Sequence, residues 1–294
     1  MLTPFTAEGE IDYDSLERLI AWYEENGATG LFAACQSSEI FFLSLRERAA
    51  LVKFVKEHAH VPVIASGHTA YGLNDQIEEL KQIAAAGPDA LILITNRLCP
   101  QGRQQESILP AVRRIMEAFP PDLPLGFYEC PYPFKRLITL EELTWCAESG
   151  RFAFMKDTCC DIDVIEKRIR VLAGSPLQLY NANTTTLLSS LRLGAAGFSG
   201  VMMNFHMDLY RYLIRHWESE PEKAETLQAF LTAFSEIERQ YYPVNAKYHQ
   251  RRIEGTFFSD YTRAIPAEGL TPTFREEVKQ MHRAACFLRE FLLK

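Results

Sequence analysis

Along most of the chain, amphipathic stretches of helical period alternate with short runs that are apolar on every residue. Four times an amphipathic stretch stops at a glycine and an apolar run starts two or three residues later. These are Asn26-Gly27 before Gly30-Leu31-Phe32-Ala33, Ala86-Gly87 before Ala90 to Ile94, Ser149-Gly150 before Phe152 to Met155, and Leu193-Gly194 before Gly197 to Val201. Glycine just past a helix end adopts a left-handed conformation at little cost, so each is a helix stop. Pro62 to Ala65 and Pro124 to Tyr128 follow helical stretches without that glycine, and Leu177 to Tyr180 is another candidate, giving seven strand candidates. Leu16, Leu19, Ile20 and Tyr23 recur at helical spacing, as do Ile108, Val112, Ile115, Met116 and Phe119. Ser44 to Glu47, Thr139 to Glu142 and Thr273 to Glu276 have the form of capping boxes that open helices.

Strands apolar on both faces, alternating with helices, belong to a parallel sheet covered on both sides. Neither Gly-x-Gly-x-x-Gly nor the phosphate-loop pattern occurs, which disfavours a nucleotide-binding open sheet. Seven strands and a stub before Phe5 favour a (β/α)8 TIM barrel over residues 1–218. The strand rhythm stops after Val201; a helix near His206 to Trp217 closes the barrel, and residues 219–294 read as a C-terminal helical appendage with helices near Pro221 to Arg239, Pro243 to Glu254 and Thr273 to Leu293.

Composition narrows the function classes. With 31 Lys and Arg against 38 Asp and Glu, the net charge is −7, which argues against a general binder of nucleic acid or an anionic membrane surface. A 47% hydrophobic and 23% charged chain buries a large core. Seven cysteines, two of them adjacent at Cys159 and Cys160, give no complete disulfide framework, and the apolar runs are too short to cross a membrane. A reduced, cytoplasmic protein is expected.

In a barrel, chemistry sits where strands end, so polar residues there carry the information. Lys156 ends the run Phe152 to Met155; a lysine desolvated there loses its proton more easily, and the neutral amine can attack a carbonyl to form a Schiff base. The alternative is a lysine that snorkels out to solvent. Tyr128 ends the run Leu125 to Phe127, where a phenol could relay protons or simply pack in the core. The turn Cys35-Gln36-Ser37-Ser38-Glu39 offers hydroxyls and backbone N–H groups to a carboxylate, or satisfies itself. Arg97, Lys135 and Arg136 follow strands and could neutralise an acidic substrate; Asn204 and His206 follow the last strand near the pocket mouth. Glu57-His58-Ala59-His60 lacks the spacing of a zinc helix, and there is no Cys-x-x-Cys, so no metal ligands are assigned.

With these residues in place, the chain resembles the dihydrodipicolinate synthase and N-acetylneuraminate lyase family of pyruvate-dependent class I aldolases. The similarity is carried by Thr3-Pro4-Phe5, by Gly30 through Glu39 with Leu43, Ser44, Leu45, Glu47 and Arg48, by Tyr128 with Pro131, by Lys156-Asp157-Thr158, and by Pro243-Val244 with Lys247. It implies Lys156 and Tyr128 as catalytic residues and Ser37, Gln36, Ser38, Arg136, Asn181 and Ser199 as substrate-binding ones. It further implies a covalent Schiff base with no cofactor, a small 2-keto acid as partner, and a homotetramer built from dimers. Thr-Pro-Phe ends the family's first strand, so that strand is expected as a stub of a few residues unless the start lies upstream.

The departures fall on specificity positions. Gln36 stands for the first threonine of the family's Gly-Thr-Thr-Gly-Glu loop, Glu129 follows Tyr128 in place of asparagine, and Arg97, Leu98 and Cys99 stand where synthases carry Tyr-Tyr-Asn, so the second phenol of their proton relay is missing. The expected function is a Schiff-base lyase acting on pyruvate and a 2-keto acid. Alternatives are a 2-keto-3-deoxy sugar acid dehydratase, a dihydrodipicolinate synthase, or a silent keto-acid-binding barrel. The acceptor end is expected to be acidic or polyhydroxylated, with aspartate semialdehyde a poor substrate.

Overall fold

The computed structural model describes residues 1–99 and 102–292. Seven strands form one parallel sheet in chain order: β1 (Leu31–Ala33), β2 (Val63–Ala65), β3 (Ala90–Ile94), β4 (Leu125–Tyr128), β5 (Phe152–Asp157), β6 (Gln178–Asn181) and β7 (Gly197–Phe198). Every apolar run read as a strand is one, although β7 stops at Phe198 and Val201–Asn204 turns into a 3-10 helix. The helices between strands are α1 (Tyr13–Glu25), α2 (Leu45–His58), α3 (Leu73–Ala85), α4 (Leu109–Ala118), α5 (Leu140–Glu148), α6 (Ile162–Leu172) and α7 (Leu187–Leu193). All four glycines read as helix stops have positive φ, from Gly150 at 67° to Gly194 at 104°.

Capping follows the sequence at α2 and α5. Ser44 Oγ accepts from the Glu47 N–H while Glu47 accepts from the Ser44 N–H, and Thr139 and Glu142 do the same. At α11 (Pro272–Leu292) the cap is Thr271, whose Oγ1 accepts from the Phe274 N–H at 3.1 Å, so the box expected at Thr273 is displaced by two residues. Proline tolerates the first helical position because the N–H it lacks has no partner there, which puts Pro272 just inside the helix. Leu293, the expected end of that helix, lies outside the described residues.

The sheet curls with helices outside it, and the core runs along its inner face through Phe32, Phe154 and Tyr180. Closure is incomplete: no ladder joins β7 to β1 among the described residues, and Phe5 makes a single bridge with Ile11 instead of a strand. The Met1 ammonium donates to the Phe32 carbonyl at 3.0 Å, beside the end of β1.

Past β7, α8 (Met207–His216), α9 (Pro221–Ser235), α10 (Val244–His249) and α11 complete the chain. α9 packs on α7, α8 and α11, so the C-terminal helices lie directly against the barrel. No helix among the described residues is long and apolar enough to cross a membrane.

Candidate active site

Alternation along β5 decides where its side chains go. Phe154 and Lys156 face the inside of the curl, while Met155 and Asp157 face the helices. Asp157 is committed there to Arg168 of α6, which also takes the Glu129 carboxylate at 2.7 Å, forming a buried carboxylate–guanidinium–carboxylate group. The asparagine-to-glutamate departure at position 129 therefore serves the wall between β4, β5 and α6, not the substrate. Glu129 also accepts from the Ile138 and Thr158 N–H groups, at 2.8 and 3.2 Å.

Lys156 is left inside, with no carboxylate partner of its own among the described residues. Its Nζ lies 4.9 Å from the centre of the Tyr128 ring, the two residues being paired in register across β4 and β5. Only 7% of Lys156 is exposed, and burial pushes its ammonium below the usual lysine range, partly opposed by Cys35, Cys130 and Glu238. A lower affinity for the proton is what a nucleophilic amine requires. Tyr128 is equally buried, which holds its phenol protonated well past the ordinary range; its Oη donates to Gln36 Oε1 at 3.3 Å.

The loop after β1 is partly self-satisfied. The Ser38 N–H donates to the Cys35 carbonyl at 3.0 Å, Ser38 Oγ accepts from the Cys35 N–H and donates to the Met1 carbonyl at 2.9 Å. Ser38 thus fastens the opening of the chain to β1 and is not available to a substrate. Ser37 faces the cavity, and Gln36 reaches Tyr128, so the two remain at the site in different roles. Ser199 also lines the cavity.

Two more substrate-binding expectations, besides Ser38, are corrected. Arg136 is buried and spent on Glu142, the same carboxylate that closes the α5 capping box, at 2.6 Å, and on the Glu106 carbonyl at 3.0 Å. Asn181 donates to Thr186 Oγ1 and Ser190 Oγ at 2.9 and 3.0 Å and accepts from the Asn183 N–H, so it shapes the turn into α7. The neighbouring cations are occupied as well: Lys135 donates to the Thr158 carbonyl, and Arg97 is stacked between Phe41 and Tyr71. His206 is buried against Tyr210 and Phe234 instead of facing the cavity.

Four further groups meet Lys156 or the loop. Cys35 follows β1 with its thiol poised at about 7: burial pushes it up, and the N-terminal ammonium and Lys156 more than offset this. Cys130 Sγ donates to Gln36 Oε1 at 3.5 Å. From the C-terminal region come Glu238, which burial raises to about 7 against the pull of Lys156, and Tyr242. Asn204 donates to the Tyr242 Oη at 3.2 Å and accepts from Tyr23 Oη at 2.5 Å. The Ser37 hydroxyl is close enough to Tyr242 to favour its phenolate, although burial holds the phenol protonated overall. Tyr242 directly precedes Pro243 of the Pro-Val segment noted in the sequence, and that adjacency was its one visible signal.

The cavity that ends at Lys156 has a volume of about 370 Å³ and follows the seam between β7 and β1. Its walls there are Phe32, Ile64, Phe154, Tyr180 and Phe198, and Arg211, which hydrogen-bonds the Gly27 carbonyl, closes its far end.

The sequence and the fold have relatives. The chain is 30% identical over 205 residues, 68% of each chain, to a 4-hydroxy-tetrahydrodipicolinate synthase of Bacillus velezensis. Its fold superposes with a TM-score of 0.85 on dihydrodipicolinate synthase from Cyanidioschyzon merolae with lysine bound, at 25% identity over 98% of this chain and 97% of that one. YagE of E. coli, a prophage protein of the dihydrodipicolinic acid synthase family solved in complex with pyruvate, matches at TM-score 0.82 and 21% identity, covering 98% and 96%. The model of the dihydrodipicolinate synthetase family matches residues 1–281, and the chain belongs to that family of pyruvate-dependent, class I aldolase-type lyases.

Proposed function

We propose that this chain makes or breaks a carbon–carbon bond beside the keto group of a 2-keto acid, with pyruvate as the keto component and Lys156 as the nucleophile. The observation that carries this reading is the inward-facing Lys156 amine at the end of a cavity, its proton affinity lowered by burial and its neighbouring carboxylate turned away onto Arg168.

The chemistry follows from those groups. The neutral amine adds to the keto carbon, and the resulting hydroxyl leaves as water once it receives a proton from the direction of Tyr128. The iminium then withdraws electrons from the adjacent carbon, which loses a proton to become an enamine and adds to an aldehyde; run backwards, the same steps cleave a 4-hydroxy-2-keto acid. The covalent iminium is itself the electron sink, so these steps call for no metal or organic cofactor. Ser37, with the Gln36 and Ser37 N–H groups, holds the carboxylate.

Tyr242 supplies the second phenol. Synthases of the family draw it from the segment after the fourth strand, whereas here Tyr242 reaches Ser37 from the same chain and is fixed by Asn204. With Arg136 spent on Glu142, the support that this guanidinium gave to an acidic acceptor falls away. Aspartate semialdehyde, a zwitterion whose carboxylate needs a cation, remains a poor fit, because Arg136 is not free to take it. Assembly into a homotetramer belongs to the same proposal; Tyr71, 75% exposed, and Tyr132, 49% exposed, flank Arg97 and Phe41 as an uncovered aromatic group suited to a subunit contact.

The test is release of pyruvate from a panel of 4-hydroxy-2-keto acids and 2-keto-3-deoxy sugar acids. Pyruvate release that disappears in Lys156→Ala is the expected result. Loss of water without pyruvate would make the protein a dehydratase, and no turnover of any compound would leave a binding barrel.

A further inference from the structure

A second cluster of chemically capable side chains lies outside the barrel, where the turn after α10 meets α11 and α1. Gln250–Glu254 continues α10 as a π-helix. In that geometry residues five apart are joined by the backbone hydrogen bond and stack on one face, which brings His249 and Glu254 together. His249 Nε2 is 3.6 Å from Glu254 Oε1, and His282 Nδ1 of α11 is 4.0 Å from the same oxygen. The three donor atoms all lie within 4.8 Å of one another.

We propose that His249, Glu254 and His282 bind a divalent transition-metal cation of the Zn²⁺ class. Donors held about 2.1 Å from a tetrahedral zinc stand about 3.4 Å apart, so side-chain adjustments of less than about 1 Å close the observed spacing. His249 is fully buried, and neither ring nitrogen has a hydrogen-bond partner among the described residues. An imidazole left this way costs folding energy that a bound cation would offset.

The surrounding contacts orient the other two donors. Trp22 Nε1–H donates to Glu254 Oε2 at 2.9 Å, leaving Oε1 toward the histidines. His282 Nε2 lies 3.4 Å from Cys286 Sγ, and a proton placed on that nitrogen leaves the Nδ1 lone pair facing Glu254. Such outer contacts are how metal-ligating imidazoles and carboxylates are held in position. The Glu254 and His282 side chains are 20% and 26% exposed, which gives an ion a path inward and leaves a fourth position for water. The His249, Glu254, His282 spacing matches no familiar metal motif, so the sequence alone does not display it.

The experiment uses Co²⁺ as a spectroscopic probe on the full chain after dialysis against chelator. The expected result is visible d–d absorption saturating at one equivalent, displacement by Zn²⁺, and a Zn²⁺-dependent rise in Tm. His282→Ala and Glu254→Gln change partly exposed positions; each should weaken binding at least tenfold and remove the Tm shift while far-UV circular dichroism and pyruvate–borohydride labelling of Lys156 stay as in the parent. Labelling and metal binding are read separately, so failure of one leaves the other standing. Absent binding, or a Co²⁺ spectrum unchanged in both variants, as capture by Cys159 and Cys160 would give, overturns the proposal.

Discussion

The Lys247 ammonium lies 2.5 Å from the Glu39 carboxylate, joining two buried positions 208 residues apart. Glu39 sits in the left-handed region at φ 58° and accepts from the Arg263 and Ala264 N–H groups at 2.7 and 2.9 Å with its other oxygen. The loop that carries Ser37 is therefore locked to α10, directly after the turn that carries Tyr242. Burial pulls Lys247 down to about 8 against the attraction of Glu39.

Removing one member of a buried ion pair leaves the other uncompensated. Lys247→Met should lower unfolding free energy by about 3–5 kcal/mol, measured by urea denaturation. A loss below about 1 kcal/mol would show that the pair does not hold the loop.

The lowered proton affinity of Lys156 fixes two signs. Its folded-state pKa lies below its unfolded one, so the burial penalty is fully present below the folded value and is relieved as pH rises toward 10.5. Lys156→Met should stabilise the protein, with a gain that shrinks as pH approaches that value. In the same way the rate of Schiff-base formation should climb with pH along a limb below 10.5, and Glu238, held at about 7, should add an inflection that Glu238→Gln removes. A rate limb at or above 10.5 would contradict a desolvated nucleophile.

The strands and helix ends were legible because local physics alone settles them: a run such as Leu91-Ile92-Leu93 has no use outside a two-sided core, and Ser44 with Glu47 caps whatever follows. Lys156 and Tyr128 were legible for the same reason, being polar at the ends of such runs. Arg136 and Asn181 were misplaced because nothing local shows that Glu142, already engaged in its capping box, also draws in a guanidinium, or that Ser190 waits for an amide. Glu238 and Tyr242 reach the site from a region whose distance along the chain hides their distance in space. The open seam between β7 and β1 follows from Phe5 pairing with Ile11 rather than forming a strand.

On the proposed relay from Tyr242 through Ser37, Tyr242→Phe should cut kcat by about 10²-fold or more with KM for the keto acid nearly unchanged. Adding Ser37→Ala should cost little further in kcat, because the two share one relay. Additive losses would separate them.

Cys35, poised at about 7 and facing the cavity, should react with iodoacetamide at neutral pH and be protected by pyruvate. Cys146, raised to about 12 by burial, should stay unmodified, and Cys160, exposed on the surface, should react with or without the keto acid. Peptide mapping by mass spectrometry distinguishes the three.

The central claim is that Lys156 forms the covalent bond to substrate. Incubation with pyruvate followed by borohydride reduction and peptide mapping should place the reduced pyruvate adduct on Lys156 and on no other lysine, with no adduct in Lys156→Ala. An adduct on another lysine, Lys247 included, or labelling that persists in the variant, would contradict the account.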